Sequence, residues 1–350
     1  MVRATRLLAA LAAVPLTLTL ASPAGAVVAS PVTSAFGSSI DAAATWERES
    51  SCSQTEKKGP KTLRSLLAQT YGPVPSNILR ACTAADSGHE EGRALDWMVN
   101  SRVPEQEELA ESFLAWLAAP DEFGNPSAMA RRLGIQYVIW ANRMWRPADG
   151  QWTTYSDCDR RKKRKRAYDN ACHRNHVHVS FSWDGALGRT SYYTGLVACP
   201  RPGFTVPAPG QAVPTGEPIG AEATRVLMTK RGVGLATGPC RVHPDVRLDF
   251  PVTGEGVVPA SGVAAVTLTV RITKADAPAA LRVWQAGAPL PVEVLATADR
   301  KLPANVTVTV PVGPEGLVSL QLTGGMANVT ATVTGYAMAG LPVPPTEPLP

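Results

Sequence analysis

Two short segments of this chain carry side chains that can do chemistry together. The first is Ser87-Gly88-His89-Glu90-Glu91-Gly92-Arg93-Ala94-Leu95-Asp96, and the second is His176-Val177-His178. Two of their imidazoles and the Asp96 carboxylate can close around one zinc ion, which leaves the remaining imidazole beside the metal. Three protein ligands and one open position describe a catalytic zinc, because structural sites use four protein ligands. Such a metal polarises a carbonyl and lowers the pKa of bound water. The chemistry this points to is hydrolysis of a peptide or amide bond.

The same spacing says which elements must hold these groups. His89 and Asp96 are seven residues apart with Gly92 between them. Glycine lets the backbone turn, and Ala94–Val99 is then predicted as a strand that carries Asp96 inward. His176 and His178 are two residues apart, so on a strand both rings share one face. One can meet a metal while the other faces substrate, and hydrogen bonds from neighbours set which ring nitrogen is free. The plainer reading of a lone H-x-H is a polar strand edge. Against it, three of the chain's five histidines fall in these two segments. His173 reads as a residue on the surface or just behind the ligands, and His243, before Pro244, as a turn residue. Glu90 and Glu91 read as exposed loop carboxylates.

The pattern Ser87-x-His89-x-x-Gly92-x-Ala94-x-Asp96 resembles the first zinc motif of the D-Ala-D-Ala carboxypeptidases and their relatives. That wider group joins lysostaphin-type peptidases, D-Ala-D-Ala peptidases and the hedgehog signalling domain. The resemblance implies a zinc held by His89, Asp96 and His178 on a central antiparallel sheet. It also implies His176 at the active site, as base or transition-state stabiliser. Many carboxypeptidases of this type carry Glu three residues before the last ligand, where this chain has Asn175. The second motif resembles the H-x-H branch instead, which leaves open the base and the choice between carboxypeptidase and endopeptidase. From Gly134–Trp140 to His176–Ser180 the chain more closely resembles a largely uncharacterised extracellular domain family of exported actinobacterial proteins. That likeness runs from Cys52 to Cys199. An arginine can grip the carboxylate of a peptide end through a bidentate fork. Arg80 and Arg93 lie closest to the motif as candidate substrate-binding residues, with an ordinary surface role as the alternative for each.

Composition sets the frame. The 350 residues are 45% apolar and 18% charged, enough for two domains with sizeable cores. A basic start (Arg3, Arg6), an apolar run from Leu7 to Ala21 and the small-residue site Ala24-x-Ala26 are predicted as a signal peptide over 1–26. A membrane anchor fits less well, because the run is short and no basic cluster follows it. The expectation is a secreted, extracellular protein, with association with the cell wall left open. Six cysteines agree with an oxidising compartment. Neighbours taken in order give Cys52–Cys82, Cys158–Cys172 and Cys199–Cys240. The rival, Cys172 and His176 as zinc-finger ligands, lacks a C-x-x-C pair. The net charge of +5 is concentrated in Arg160-Arg161-Lys162-Lys163-Arg164-Lys165-Arg166. Export argues against a nuclear signal or a nucleic-acid patch. A solvated loop between Cys158 and Cys172 is expected, with attraction to an anionic wall polymer as the functional alternative.

The fold expected is α+β, a small antiparallel sheet with helices over 46–199, followed by an all-β sandwich over 223–340. Residues 27–45 read as a flexible lead-in, 200–222 as a Pro-rich linker and 341–350 as a Pro-rich tail. Helices are expected from Pro60 (Leu63, Leu66, Leu67), from Pro104 (Leu109, Phe113, Trp116, Leu117), and from Asn125-Pro126 to Gly134. Ile135–Trp140 and Val177–Phe181 read as strands. In the second domain, Val266/Leu268/Val270/Ile272, Val306/Val308/Val310, Val318/Leu320/Leu322 and Val329/Ala331/Val333 alternate with polar residues, with turns at Gly313–Gly316 and Gly324-Gly325. Arg225-Val226-Leu227 with Gly232-Val233-Gly234, then Val258–Val263, Val310–Gly313 and Val333–Tyr336, resemble a β-sandwich module of actinobacterial surface proteins, which implies a wall-association, carbohydrate-binding or spacer role.

The function expected is a secreted zinc-dependent peptidase that hydrolyses amide bonds in peptidoglycan peptides. Its partner is then peptidoglycan or another cell-wall polymer, with no nucleic acid and no transmembrane segment. The alternative is a non-catalytic envelope-binding protein that retains a metal site. A nuclease built on the basic run is a third and more distant reading.

Overall fold

The computed structural model describes residues 28–83, 87–156, 158, 165–200, 206–210 and 215–340. The expected signal peptide, the run Arg160–Arg164, parts of the linker and the Pro-rich tail lie outside the described residues.

The first unit is built on a six-stranded antiparallel sheet. Helix α1 (Lys58–Tyr71) has Pro60 in its first turn, where a missing N–H costs nothing, and buries Leu63 and Leu67 one turn apart. Strands β1 (Ser76–Asn77) and β2 (Ala94–Trp97) follow. Helix α2 (Pro104–Ala118) starts on a proline, with Glu105 and Glu107 against the positive end of its dipole. It buries Phe113, Leu114 and Leu117. Helix α3 (Ala128–Leu133) begins after Ser127, two residues beyond the expected Asn125. It stops at Gly134, whose φ is 71°, and a Cβ there would sit 2.5 Å from the Cα of Gly185. Both the turn and this close approach therefore require glycine.

Strands β3 (Ile135–Trp140), β4 (Arg143–Trp145), β5 (Trp152–Thr154) and β6 (Val177–Phe181) complete the sheet, in the order β1-β2-β6-β3-β4-β5. Alternation on β6 sends Val177, Val179 and Phe181 into a core shared with Trp97, Phe113 and Val138. It leaves His178 on the opposite face. Short helices α4 (Trp183–Leu187) and α5 (Ser191–Thr194) close this unit.

The lead-in differs from expectation. Residues 28–57 carry no helix or strand, yet they lie packed over the first unit. Trp116 Nε1 donates to Thr33 Oγ1 at 2.9 Å, Arg132 donates to the carbonyls of Gly37 and Ser39, and Asp41 accepts from the backbone and hydroxyl of Ser191. Small residues read as flexibility in sequence, but here they let the strap lie close to the helices.

The second unit is a β-sandwich of two four-stranded antiparallel sheets. Its strands are β7 (Ile219–Met228), β8 (Arg247–Pro251), β9 (Val263–Thr273), β10 (Ala279–Gln285), β11 (Ala296–Ala298), β12 (Ala304–Pro311), β13 (Leu317–Gly324) and β14 (Asn328–Met338). The sheets have the orders β11-β10-β13-β8 and β12-β9-β14-β7. The inward residues of β9, β13 and β14 are those that alternation picks out, and all are buried. β7 starts at Ile219, inside the stretch read as linker, because Gly220 and Ile219 pair with Gly335 and Tyr336.

Three disulfides join Cys52–Cys82, Cys158–Cys172 and Cys199–Cys240, so Cys172 is not a metal ligand. The last bridge ties the two units. Beside it, Arg189 pairs with Asp276 at 2.6 Å and His243 Nε2 lies 2.8 Å from Asp184 Oδ2. His243 is therefore not a bare turn residue but one side of the contact between units. Burial lowers the pKa of its ring, and the bond and charge of Asp184 overcome this and raise it. Among the described residues no helix is long and apolar enough to cross a membrane.

Candidate metal centre

Antiparallel register assembles the site. Asp96 on β2 and Ile139 on β3 both pair with His178 on β6, so His178 occupies the middle of the sheet beside Asp96. His89 arrives from the preceding loop. That loop turns at Gly92, where φ is 69° and a Cβ would stand 2.2 Å from the carbonyl oxygen of Thr55. Arg93 N donates to Gly88 O at 2.9 Å and closes the turn.

The three groups converge. His89 Nε2 lies 3.1 Å from Asp96 Oδ1, His178 Nδ1 lies 2.8 Å from the same oxygen, and the two ring nitrogens are 3.2 Å apart. All three ligand atoms fall within 4.8 Å of one another. His89 Nδ1 donates to the carbonyl of Ile78 at 3.0 Å, which only accepts, so its Nε2 carries the lone pair. That lone pair faces a carboxylate. One proton on His178 Nδ1 satisfies Asp96 but still leaves His89 Nε2 against electron-rich atoms. A cation shared by the three resolves the arrangement, so the donor set fits zinc. Burial raises the pKa of Asp96, but the hydrogen bond and charge of His178 lead the opposing interactions and hold its carboxyl far below the usual range. Burial lowers the pKa of His178, against the pull of Asp96.

His176 stands beside the trio. Its Nδ1 donates to Asn175 Oδ1 at 2.8 Å, which leaves Nε2 as the free nitrogen, 3.5 Å from Asp96 Oδ1. Burial pushes its pKa down to about 4, despite Asp96. The imidazole is neutral at pH 7 and can accept a proton.

The structure brings His89, Asp96, His176 and His178 together in one cleft of about 360 Å³. Arg80 lines this cleft as an exposed side chain. Arg93 does not line it, which corrects the expectation of substrate binding. Its guanidinium is 0% exposed and bonds Glu91, the carbonyls of Phe181 and Glu47, and Glu49. It ties the strap to the sheet from below. Glu90 and Glu91 are buried too, at 1% and 0% exposure, and not exposed as read from the sequence. Glu91 accepts from the backbone of Ser50 and Ser51, and Glu90 from Thr83.

Sequence reasoning missed the importance of His173. It lines the cleft, its ring centroid lies 4.7 Å from His176 and 5.5 Å from His178, and Tyr155 meets it edge-on at 5.0 Å. Burial and the neighbouring rings push its pKa down to about 2. Its φ is 49°, a conformation held from both sides. Ala141 N donates to His173 O, Asn142 N donates to Cys172 O, and the Cys158–Cys172 bridge anchors the residue before it. The one available signal was its place next to a cysteine and three residues before His176.

A protein-family profile described as "VldE, C-terminal domain" matches residues 52–165, about a third of the chain. The match includes His89 and Asp96 and ends before His176 and His178. A search of curated proteins gives no match. Among solved structures the chain has a likeness to a family 35 carbohydrate binding module from an environmental isolate. Identity is 18%, the alignment covers 39% of this chain and 98% of that one, and the TM-score is 0.18. A TM-score at that level carries no inference about fold or ligand.

Proposed function

We propose that this protein is a secreted zinc-dependent peptidase that hydrolyses amide bonds in peptidoglycan peptides. The observation that carries this reading is the convergence of His89 Nε2, Asp96 Oδ1 and His178 Nδ1 with a neutral His176 alongside. His89, Asp96 and His178 would hold the metal. A bound zinc supplies Lewis acidity toward a carbonyl and a water acidified enough to react at neutral pH.

The remaining work falls to the side chains. His176 Nε2 accepts a proton from the attacking water and can return it to the departing amine. Asn175 keeps that nitrogen unprotonated by fixing the tautomer. His173 and Tyr155 form the wall against which His176 is packed. Arg80, at the rim, can bind the carboxylate of a peptide end. Three disulfides agree with an extracellular setting.

The test is release of new amine ends from purified peptidoglycan by the zinc-loaded protein, beside His176→Ala. Release by the wild type and a fall of about a hundredfold or more in the variant support the reading. Equal release by both contradicts it.

One observation favours a second reading, a non-catalytic envelope-binding protein with a retained metal site. Asp96 is the only carboxylate among the described residues that line the cleft, so no Glu serves as base. That reading expects retention on cell walls with no new amine ends.

A further inference from the structure

A second and larger cleft, about 710 Å³, lies where the two units meet. Among the described residues it shares no lining residue with the metal cleft. Gly134 and Ser182 line it, at the far end of the β3–β6 pair from Ile139 and His178. Four residues of strand separate the two ends, roughly 13 Å at the usual rise. We propose that this cleft is a peptide-binding site, which takes a chain in backbone contact with Ala42–Thr45.

Among the described residues, nothing bonds the backbone N–H or C=O of Ala42, Ala43, Ala44 or Thr45. The segment is fixed at both ends, since Arg131 Nε donates to Asp41 O and Glu47 N donates to Gln136 Oε1. All four residues line the cleft, and three have only a methyl side chain. Ala42 and Thr45 are exposed and Ala43 and Ala44 half-buried, so water satisfies these backbone groups in the free protein and a ligand backbone can take its place. A second stretch of the lining, Val197–Cys199, has a similar feature. Ala198 sits between the bonds Arg241 N to Val197 O and Cys199 N to Arg241 O. In a parallel bridge of that kind, the N–H and C=O of the central residue turn away from the partner strand. Both stretches therefore suit a ligand with a backbone of its own, the arrangement by which peptides add to exposed edges.

Charge narrows the class. Of the Arg131 guanidinium only Nε bonds among the described residues, and Glu47 uses Oε2 for Trp183 N. A guanidinium end and a carboxylate oxygen, both from residues that line the cleft, remain to meet a ligand. Asp41 and Asp184 also line the cleft, but Ser191 takes up the first, and His243 and Arg189 the second, so Arg131 and Glu47 supply its unpaired charges. A short peptide with a free carboxylate and an amine matches both signs.

The inference is independent of catalysis at the metal cleft. The test uses the full chain carrying His176→Ala, so that no hydrolysis complicates the readout. The probe is fluorescein-labelled Lys-Ala-Ala with a free C-terminus, followed by anisotropy. Ala43→Pro removes one strap N–H, and Ala43→Trp fills the space. Each should weaken binding about tenfold or more, the equivalent of one or two lost hydrogen bonds, with the melting temperature unchanged. Arg131→Gln should erase the preference for the free acid over the C-terminal amide. No binding of the probe, or equal binding by the Ala43 variants with the acid preference intact in Arg131→Gln, overturns the proposal. Absence of peptidase activity in the wild type would leave these outcomes untouched.

Discussion

His89 Nδ1 lies 3.0 Å from the carbonyl oxygen of Ile78, and that contact decides which nitrogen of His89 faces Asp96. A carbonyl takes only a donor, so the proton stays on Nδ1 and Nε2 is delivered unprotonated to the position proposed for a metal. The orientation comes from the backbone, and no substitution of the Ile78 side chain removes it.

Zinc affinity should depend on pH in a direction set by burial. Ligand imidazoles must be neutral to bind metal. Burial lowers the pKa of His178 below the usual histidine value, so protons compete only at lower pH. Affinity measured by competition with a chromogenic chelator should be nearly level from about pH 8 to about pH 6.5 and fall in more acid solution. A steep loss already above pH 7 would contradict the assignment of His178 as a ligand.

Asn175→Ala should keep the metal and lose rate. Asn175 acts through His176 by fixing its tautomer. Under the proposed function, kcat should fall about tenfold with little change in KM, and the acid limb of the pH profile should move. An unchanged profile would show that Asn175 does not position His176.

The two arginines nearest the motif should behave in opposite ways. Arg93 is buried in an ion network, so Arg93→Ala strands Glu91 and should destabilise the fold by about 3–5 kcal/mol in urea denaturation. Arg80→Ala should leave stability within about 0.5 kcal/mol and raise KM for peptides with a free carboxylate.

Asp41 should make stability fall as pH rises. Burial raises its pKa from 3.8 to about 6, against the bonds from Ser191 and the charge of Arg132. The folded state therefore holds a proton that the unfolded chain releases near pH 3.8. The stabilisation is complete below that pH and is lost as pH climbs through about 6, a change of about 3 kcal/mol. Denaturation curves of the wild type and Asp41→Asn across this range should differ in slope. Parallel curves would contradict the burial argument.

These contrasts show what the sequence could and could not reveal. Periodicity located α1, α2, β3 and β6 and the inward residues of β9, β13 and β14, because each depends on local alternation against one core. His89, Asp96, His176 and His178 stood out because glycine turns and H-x-H spacing are local as well. Distant partners decided the rest. Arg93 and Glu91 looked exposed until the strap at Glu47–Ser51 covered them. His173 looked peripheral until Ala141 and Asn142 turned it into the cleft. His243 met Asp184 only through packing of the two units.

The most direct test of the central claim is metal content. The purified protein, equilibrated with zinc and desalted, should hold about one zinc per molecule, and His178→Ala should hold essentially none while keeping its fold. Equal zinc in both, or none in the wild type, would contradict a metal centre built on His89, Asp96 and His178.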